Sequence, residues 1–574
     1  MTATPPDTRP RVPLSRTADA DVVPPAAERA RRAGPREPRD RLAGWAVAVG
    51  LAALALVLRL WRLGQPHTFQ FDETYYAKDA WSLLRFGYVQ GYEDKADRRL
   101  LAGDTTGLWT GEPSMVVHPE AGKWMIAAGE RLLGMDPFGW RVAAAVTGAL
   151  MVLVMVRLAL RLTGSTLLAG VAGALLAFDG LHLVLSRLAL LDIFVAFWML
   201  LGVHCLVLDR DWFRARLARG DGGLGRGFGR GFGPRLLLRP WLLVSGVCWG
   251  LALGTKWTPV FALAALGLLA WSWTVGARRS FGVRRAALRS VVRDGPTMAV
   301  QLVGTAAVVY VATWGGWLVH ADEYEEHLSS NQYTRFVSWA GTCNGESLSG
   351  VRSDDDARWP TAREPDASGA GEVVQSLRSL WYYHRDVLTF HTYFLECAEH
   401  TYASKPAGWL LLNRPVGVEA ELDIKPGEQG CDAPRGSDCL RQVILLGNPA
   451  VWWGSVLTLV AGAVIWVGAR DWRFGLAVVG TLATWLPWLR YDDRPIFSFY
   501  AIVTLPFLVL CSTLVVGRLL GRGGPGPRRT VGVVVAGSWL VLVLLAFAWF
   551  WPVWTDVLLT KSEWLARIWF TRWI

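Results

Sequence analysis

The chain has 574 residues, of which 52% are hydrophobic and only 19% charged, with 32 tryptophans and a net charge of +11. Soluble proteins carry about 25% charged residues, so this much apolar surface cannot be hidden in soluble cores, and disordered, fibrous and disulfide-knot classes are excluded too. The basic excess does not point to nucleic acid. It consists of 52 Arg and 7 Lys, the Arg gather in short segments between apolar runs as cytoplasmic loops do, and no basic face accompanies a recognition motif.

Residues 1–42, rich in Pro, Ala, Arg and Asp and without apolar periodicity, read as a disordered cytoplasmic tail. No cleavable signal peptide precedes the first apolar run, about 43–61, which is long enough to span a bilayer. Further spans are expected at about 139–158, 164–182, 188–208, 241–257, 259–275, 296–319, 448–468, 473–489, 497–517 and 530–550, eleven in all. The predicted fold class is therefore an all-α polytopic membrane protein. The tail holds nine Arg, 209–240 eight, 277–293 six and 518–529 four. With eleven spans these four segments fall on one side, which the positive-inside rule makes cytoplasmic. The loops 62–138 and 320–447 and the C-terminal 551–574 are then extracytoplasmic, with spans two to seven over 139–319 and eight to eleven over 448–550. The Gly/Arg run at 224–233 superficially resembles a phosphate-binding glycine motif. It follows no strand and lacks a GK[ST] ending, so it reads as a basic loop against anionic lipid.

Cys205, Cys248 and Cys511 lie in apolar runs and read as packing residues. Cys343, Cys397, Cys431 and Cys439 share the second long loop, where an extracytoplasmic location permits disulfides of unreadable connectivity. No CxxC or HExxH spacing supports zinc instead.

The densest chemical signal is Phe71-Asp72-Glu73-Thr74-Tyr75-Tyr76-Ala77-Lys78-Asp79, shortly after the first span. Two readings of Asp72 stay open and are compatible: a helix cap ahead of an acidic first turn, or a general base at the membrane surface. Next comes His118-Pro119-Glu120-Ala121-Gly122-Lys123-Trp124, and Arg141 opens the second span. His118, Lys123 and Arg141 converging near one interface suit a phosphate, against the plainer reading that they snorkel toward headgroups. Arg187 and Asp192, five residues apart, do not share a helix face and are expected to pair with other spans or to support an acceptor. Lys256 and Arg494 also lie near membrane depth, where ionisable side chains are costly and point to function or to interhelical pairs. In the second loop, aromatics with His391, His400 and Trp409 suit either a substrate groove or an interfacial helix with rings at headgroup level.

These motifs together resemble the bacterial protein O-mannosyltransferases, a family of membrane-embedded C-type glycosyltransferases. The matches are Phe71-Asp72-Glu73, His118-Pro119 with Lys123, Arg141 opening a span, Ser186 to Asp192, Gly250 to Trp257, and Arg494 to Tyr500, in matching order across nearly all of 43–550. Where the family often has a second Pro after HisPro this chain has Glu120, so that turn is expected to differ. The β-trefoil-like domain of eukaryotic members is not expected in the second loop.

The resemblance implies inverting transfer of mannose from a polyprenyl-phosphate carrier to Ser or Thr of proteins leaving through the secretion channel. It implies Asp72 as base, Glu73 orienting the acceptor or supporting the loop, and Lys123, Arg141, His118, Lys256 and Arg494 facing the phosphate. Phosphate leaves without a protonating acid, so one carboxylate suffices where a glycosidase needs two. No cofactor is expected because the lipid-linked sugar is a substrate, and without a DxD-type cluster no obligatory metal is expected. Rival readings are a sibling transferase using another lipid-linked sugar or another acceptor, a transporter, and a non-catalytic assembly subunit. A transporter would predict internal repeats and interrupted helices at mid-membrane.

Overall fold

The structure, a computed structural model, describes residues 38–220, 232–330, 358–395, 398–521 and 526–574. Most of the expected tail, most of the Gly/Arg run, Cys343 and Cys397 lie outside the described residues. Among the described residues, seven helices are long and apolar enough to cross a membrane: Arg41–Leu60, Pro137–Thr163, Leu191–Arg219, Pro259–Ser280, Gly295–Ala312, Pro449–Ala469 and Pro527–Trp554. Thr166–Ala177, Pro240–Leu253 and Leu505–Leu520 are shorter apolar helices. The expected span at 473–489 is the Trp472–Trp485 helix followed by a 3-10 turn over Leu486–Arg490. The figure of eleven is thus reached only by counting these four shorter helices.

The sequence starts these helices in a way suited to lipid, where an unmet backbone N–H is expensive. Proline, which has no N–H to satisfy, stands in the first turn of the helices beginning at Pro137, Pro240, Pro259, Pro449 and Pro527. Asp136, Ser165 and Asn448 accept from first-turn N–H groups at three helix starts. Asp179 does the same for the helix Gly180–Leu185, and in doing so breaks the expected 164–182 span in two. Its other oxygen accepts from Asn448 N at 3.0 Å and Trp452 Nε1 at 2.8 Å, tying that break to the Pro449–Ala469 helix.

The expected 296–319 span is also interrupted. Its α-helix widens to π-helical turns over Ala299–Gly304, resumes over Thr305–Ala312, and stops before a short helix at Gly315–Val319. A glycine stripe at four-residue spacing, Gly246, Gly250 and Gly254, lays the Pro240–Leu253 helix directly on it. A Cβ at Gly246 would stand 2.5 Å from Gln301 O, one at Gly250 2.7 Å from Ala306 O, and one at Gly254 2.5 Å from Thr313. Small residues at this spacing let two backbones approach where no hydrophobic effect drives association. The contact fixes where the chain emerges at Thr255 and Lys256.

The first long loop folds into the helix Glu73–Phe86, an antiparallel pair Gln90–Tyr92 and Trp109–Pro113, and the helices Ala96–Leu101 and Ala121–Leu133. The second holds the amphipathic helix Ala370–Thr389, with Val373, Val374, Leu377 and Trp381 exposed while Ser379, Tyr383 and Asp386 are buried. It also holds the antiparallel strands Val416–Ile424 and Cys439–Leu445, and Cys431 is disulfide-bonded to Cys439. The C-terminal strand Leu559–Thr560 adds to Cys439–Leu445, which places the C-terminal segment and the second loop on one side of the bundle.

Candidate active site

The two long loops and the helix ends beneath them enclose a cavity of about 1370 Å³. Its polar wall carries Asp72, His118, Lys123, Asp192, Lys256 and Arg494, contributed by five segments far apart in sequence. His391 and His400 line it from the second loop. Its lining also includes apolar side chains, among them Val195, Met199, Val260, Phe261, Trp488 and Val503.

Asp72 is the residue preceding the Glu73–Phe86 helix, yet its side chain makes no capping hydrogen bond. The cap reading therefore accounts for its position and not for its carboxylate. One helical turn on, Tyr76 Oη donates to Asp72 Oδ2 at 3.4 Å. Burial raises the Asp72 carboxyl to about 6; Lys256 and Tyr76 pull against that rise, and Asp192 adds to it. A carboxylate lifted this way is a stronger base than free aspartate yet still ionised at neutral pH.

Each of the three cations is held by a partner within the cavity wall. Lys256 Nζ, in the turn between the Pro240–Leu253 and Pro259–Ser280 helices, bonds Asp192 Oδ2 at 2.8 Å. Lys123 Nζ bonds Asp79 Oδ2 at 2.9 Å. Arg494 Nη1 donates to His391 Nδ1 at 2.9 Å, and the His391 ring stacks 6.1 Å from that of His118. Burial, with Lys256 and other neighbouring cations, holds His118 well below the usual histidine range, and His391 falls to about 3 for the same first reason and because of Arg494. Both imidazoles are neutral at pH 7. They can donate or accept a hydrogen bond but do not add charge.

The His118 turn is clamped from two sides. Ala121 N donates to Gly254 O at 2.9 Å. Glu120, which stands where a second proline was expected, is fully buried with its carboxylate toward the N–H groups of Gly316 and Trp317. Burial raises its carboxyl to about 7.

Arg141 departs from the expected phosphate role. It is 0% exposed, and its guanidinium is committed to the fold. Nε and Nη2 grip both oxygens of Glu73 at 2.9 and 2.8 Å, and the remaining donors meet Leu63 O, Pro66 O and Thr68 O. Glu73 is equally enclosed, accepting from Gln70 N at 3.0 Å and Ala189 N at 2.9 Å as well. Of the two adjacent carboxylates only Asp72 reaches the cavity; Glu73 is a loop support. Arg187 likewise donates to Arg59 O and Trp61 O at the end of the first span. Trp409 is buried, with Nε1 donating to Ser404 Oγ at 2.8 Å. Neither lines the cavity.

Among the ionisable lining residues that the sequence reading did not single out are Glu112, Glu399 and Asp493, and two more that a spacing could have marked. Asp79 lies two helical turns after Asp72 on the same face, and Arg490 lies four residues before Arg494. Both spacings were available as signals. Among the described residues no group of three His, Cys, Asp or Glu side chains is arranged to hold a metal ion.

Comparison with known proteins adds a family to this geometry. Residues 49–218 match the family described as dolichyl-phosphate-mannose-protein mannosyltransferase, and residues 376–573 match the C-terminal four-transmembrane region of protein O-mannosyltransferases. A polyprenol-phosphate-mannose–protein mannosyltransferase of Mycobacterium tuberculosis is 33% identical over 588 aligned positions, covering 100% of both chains. One of Mycolicibacterium smegmatis is 34% identical, covering 93% of this chain and 94% of its own. Among solved structures, a Saccharomyces cerevisiae protein O-mannosyltransferase complex bound to the sugar donor shares the fold, with a TM-score of 0.66, 14% identity and coverage of 96% and 95%.

Proposed function

The chain belongs to the protein mannosyltransferase family, and from that premise we propose that it transfers mannose from polyprenyl-phosphate-mannose to Ser or Thr hydroxyls of polypeptides, with inversion at the anomeric carbon. The observation that carries the reading is the cavity, in which the Asp72 carboxylate, a set of cations and apolar side chains meet. Asp72 takes the proton of the acceptor hydroxyl as its oxygen attacks C1. The bond from C1 to the phosphate oxygen breaks, and its electron pair leaves on the polyprenyl phosphate. Lys256, Arg494 and Lys123 offset the charge that grows there, a contribution realised most in the transition state. The polyprenyl chain would lie against the apolar lining, which Val195 and Met199 of the Leu191–Arg219 helix and Val260 and Phe261 of the Pro259–Ser280 helix supply.

We place the cavity on the outer face of a bacterial plasma membrane. The Arg-rich segments 209–240 and 277–293 support this, since they join helix ends opposite to the long loops.

The test incubates membranes containing the protein with labelled polyprenyl-phosphate-mannose and a peptide rich in Ser, Thr, Pro and Ala. Label on peptide hydroxyls is the expected result. No label with mannose, but label when another lipid-linked sugar is supplied, moves the chain to a sibling reaction. The pH profile is a second check. Because the base must be ionised, kcat/KM for the acceptor is expected to fall about tenfold per unit below pH about 6, the folded value of Asp72. A flat profile from pH 5 to 7 is incompatible with Asp72 as base.

A further inference from the structure

Phe71, immediately before Asp72, has a left-handed backbone with φ of 51°. That conformation is disfavoured for any residue with a Cβ and especially for a bulky one, so something must hold it. The surrounding rings can. Phe71 meets Phe497 edge-on at 5.4 Å, Phe499 at 5.8 Å and His400 at 5.8 Å. The cage is itself braced. Phe497 and Phe499 stack at 5.5 Å, His400 meets Phe497 edge-on at 4.9 Å, and Phe499 is almost fully buried. On the other side of Phe71 the chain is pinned by Gln70 N donating to Glu73 Oε2 and Glu73 N donating to Gln70 O, both at 3.0 Å. The reversal at Phe71 falls between these anchors, at the step where Glu73 faces Arg141 and Asp72 faces the cavity.

We propose that Phe71 is a positioning residue for Asp72, its ring locked by His400, Phe497 and Phe499 so that the left-handed backbone aims the carboxylate into the cavity. The inference rests on Asp72 being the base. It gives the segment from Arg494 to Tyr500 a second task beside that of Arg494. Its phenylalanines hold the base, so the donor and acceptor sides of the reaction are tied through one short stretch. It also accounts for His400 in the cavity wall as a cage member.

The test is a pair of substitutions whose order separates positioning from packing. F71A removes the cage contact while the left-handed conformation stays costly, so the backbone relaxes and kcat is expected to drop about tenfold or more, the scale set by a left-handed non-glycine residue, with donor KM within twofold. F71G removes the ring but adopts the left-handed conformation freely, so it is expected to keep more activity than F71A. Simple loss of packing gives the opposite order, because glycine buries less than alanine. F71Y, which keeps the ring, is expected to restore most of the rate. F71G at or below F71A, or F71A at the wild-type rate, overturns the proposal. F497L thins the cage without touching Phe71 and serves if F71A does not accumulate; a wild-type kcat in F497L overturns it equally. D72N run alongside keeps the readings apart. Activity in D72N removes the base assignment itself, whereas an inactive D72N with unaffected F71A and F497L removes only the positioning role.

Discussion

Asp72→Asn is expected to reduce transfer by about 10²- to 10⁴-fold, the range a general base contributes. Asn has the same shape, can still accept from Tyr76 Oη, and cannot take a proton from a hydroxyl. The neighbouring pair of Lys256 and Asp192 remains intact, since its 2.8 Å contact does not involve Asp72. The donor's phosphate should therefore bind as before, or slightly better, because a negative charge has left the cavity. The measurement is initial rate with labelled donor in membranes, with donor binding determined separately. A rate within tenfold of wild type sinks the assignment. A lost rate together with lost donor binding would instead move Asp72 to the donor's side of the reaction. Its chain neighbour cannot take its place, because Glu73 is enclosed by Arg141, Gln70 N and Ala189 N.

How much of this was legible in the sequence depends on what each residue needs. Asp72 was legible because a polar, aromatic-rich stretch directly after an apolar span is unusual whatever its three-dimensional surroundings. The long apolar helices were legible because length and hydropathy are local quantities. The breaks were harder. Asp179 ends one helix and caps the next, but an Asp between apolar runs reads equally well as a mid-span charge. The π-helical turns at Ala299–Gly304 lie against Gly246, the first glycine of a stripe on another helix, a long-range fact with no local mark. The division of labour between neighbours was hidden for the same reason. Asp72 and Glu73 look equivalent in the chain, and only Arg141, 68 residues from Glu73, separates them. A cation at a span's start reads as a phosphate ligand until its donors are seen to be used up by three carbonyls and a carboxylate.

That use of Arg141 sets the second large expectation, which concerns folding before it concerns catalysis. Arg141→Ala leaves Glu73 0% exposed and without its ion-pair partner, and strips donors from Leu63 O, Pro66 O and Thr68 O. Removing one partner of a buried ion pair costs about 3–5 kcal/mol, a large share of a marginal stability. The variant is expected to accumulate poorly and to unfold at a clearly lower temperature in detergent, while protein that does fold keeps its donor KM. Arg141→Lys should fall between the two, since one ammonium cannot reproduce a two-pronged grip on a carboxylate plus bonds to three carbonyls. The double variant Arg141→Ala, Glu73→Gln removes the orphaned charge and should recover part of the lost stability. Normal accumulation and an unchanged midpoint in Arg141→Ala, together with a raised donor KM, would return Arg141 to the phosphate. The physical reason to expect otherwise is that a guanidinium with both edges bonded inside the protein has nothing left to offer a ligand unless the loop from Leu63 to Glu73 first comes apart. Its loss should therefore displace Asp72 along with the whole turn, so that the residual activity of Arg141→Ala tracks the folded fraction and not donor concentration.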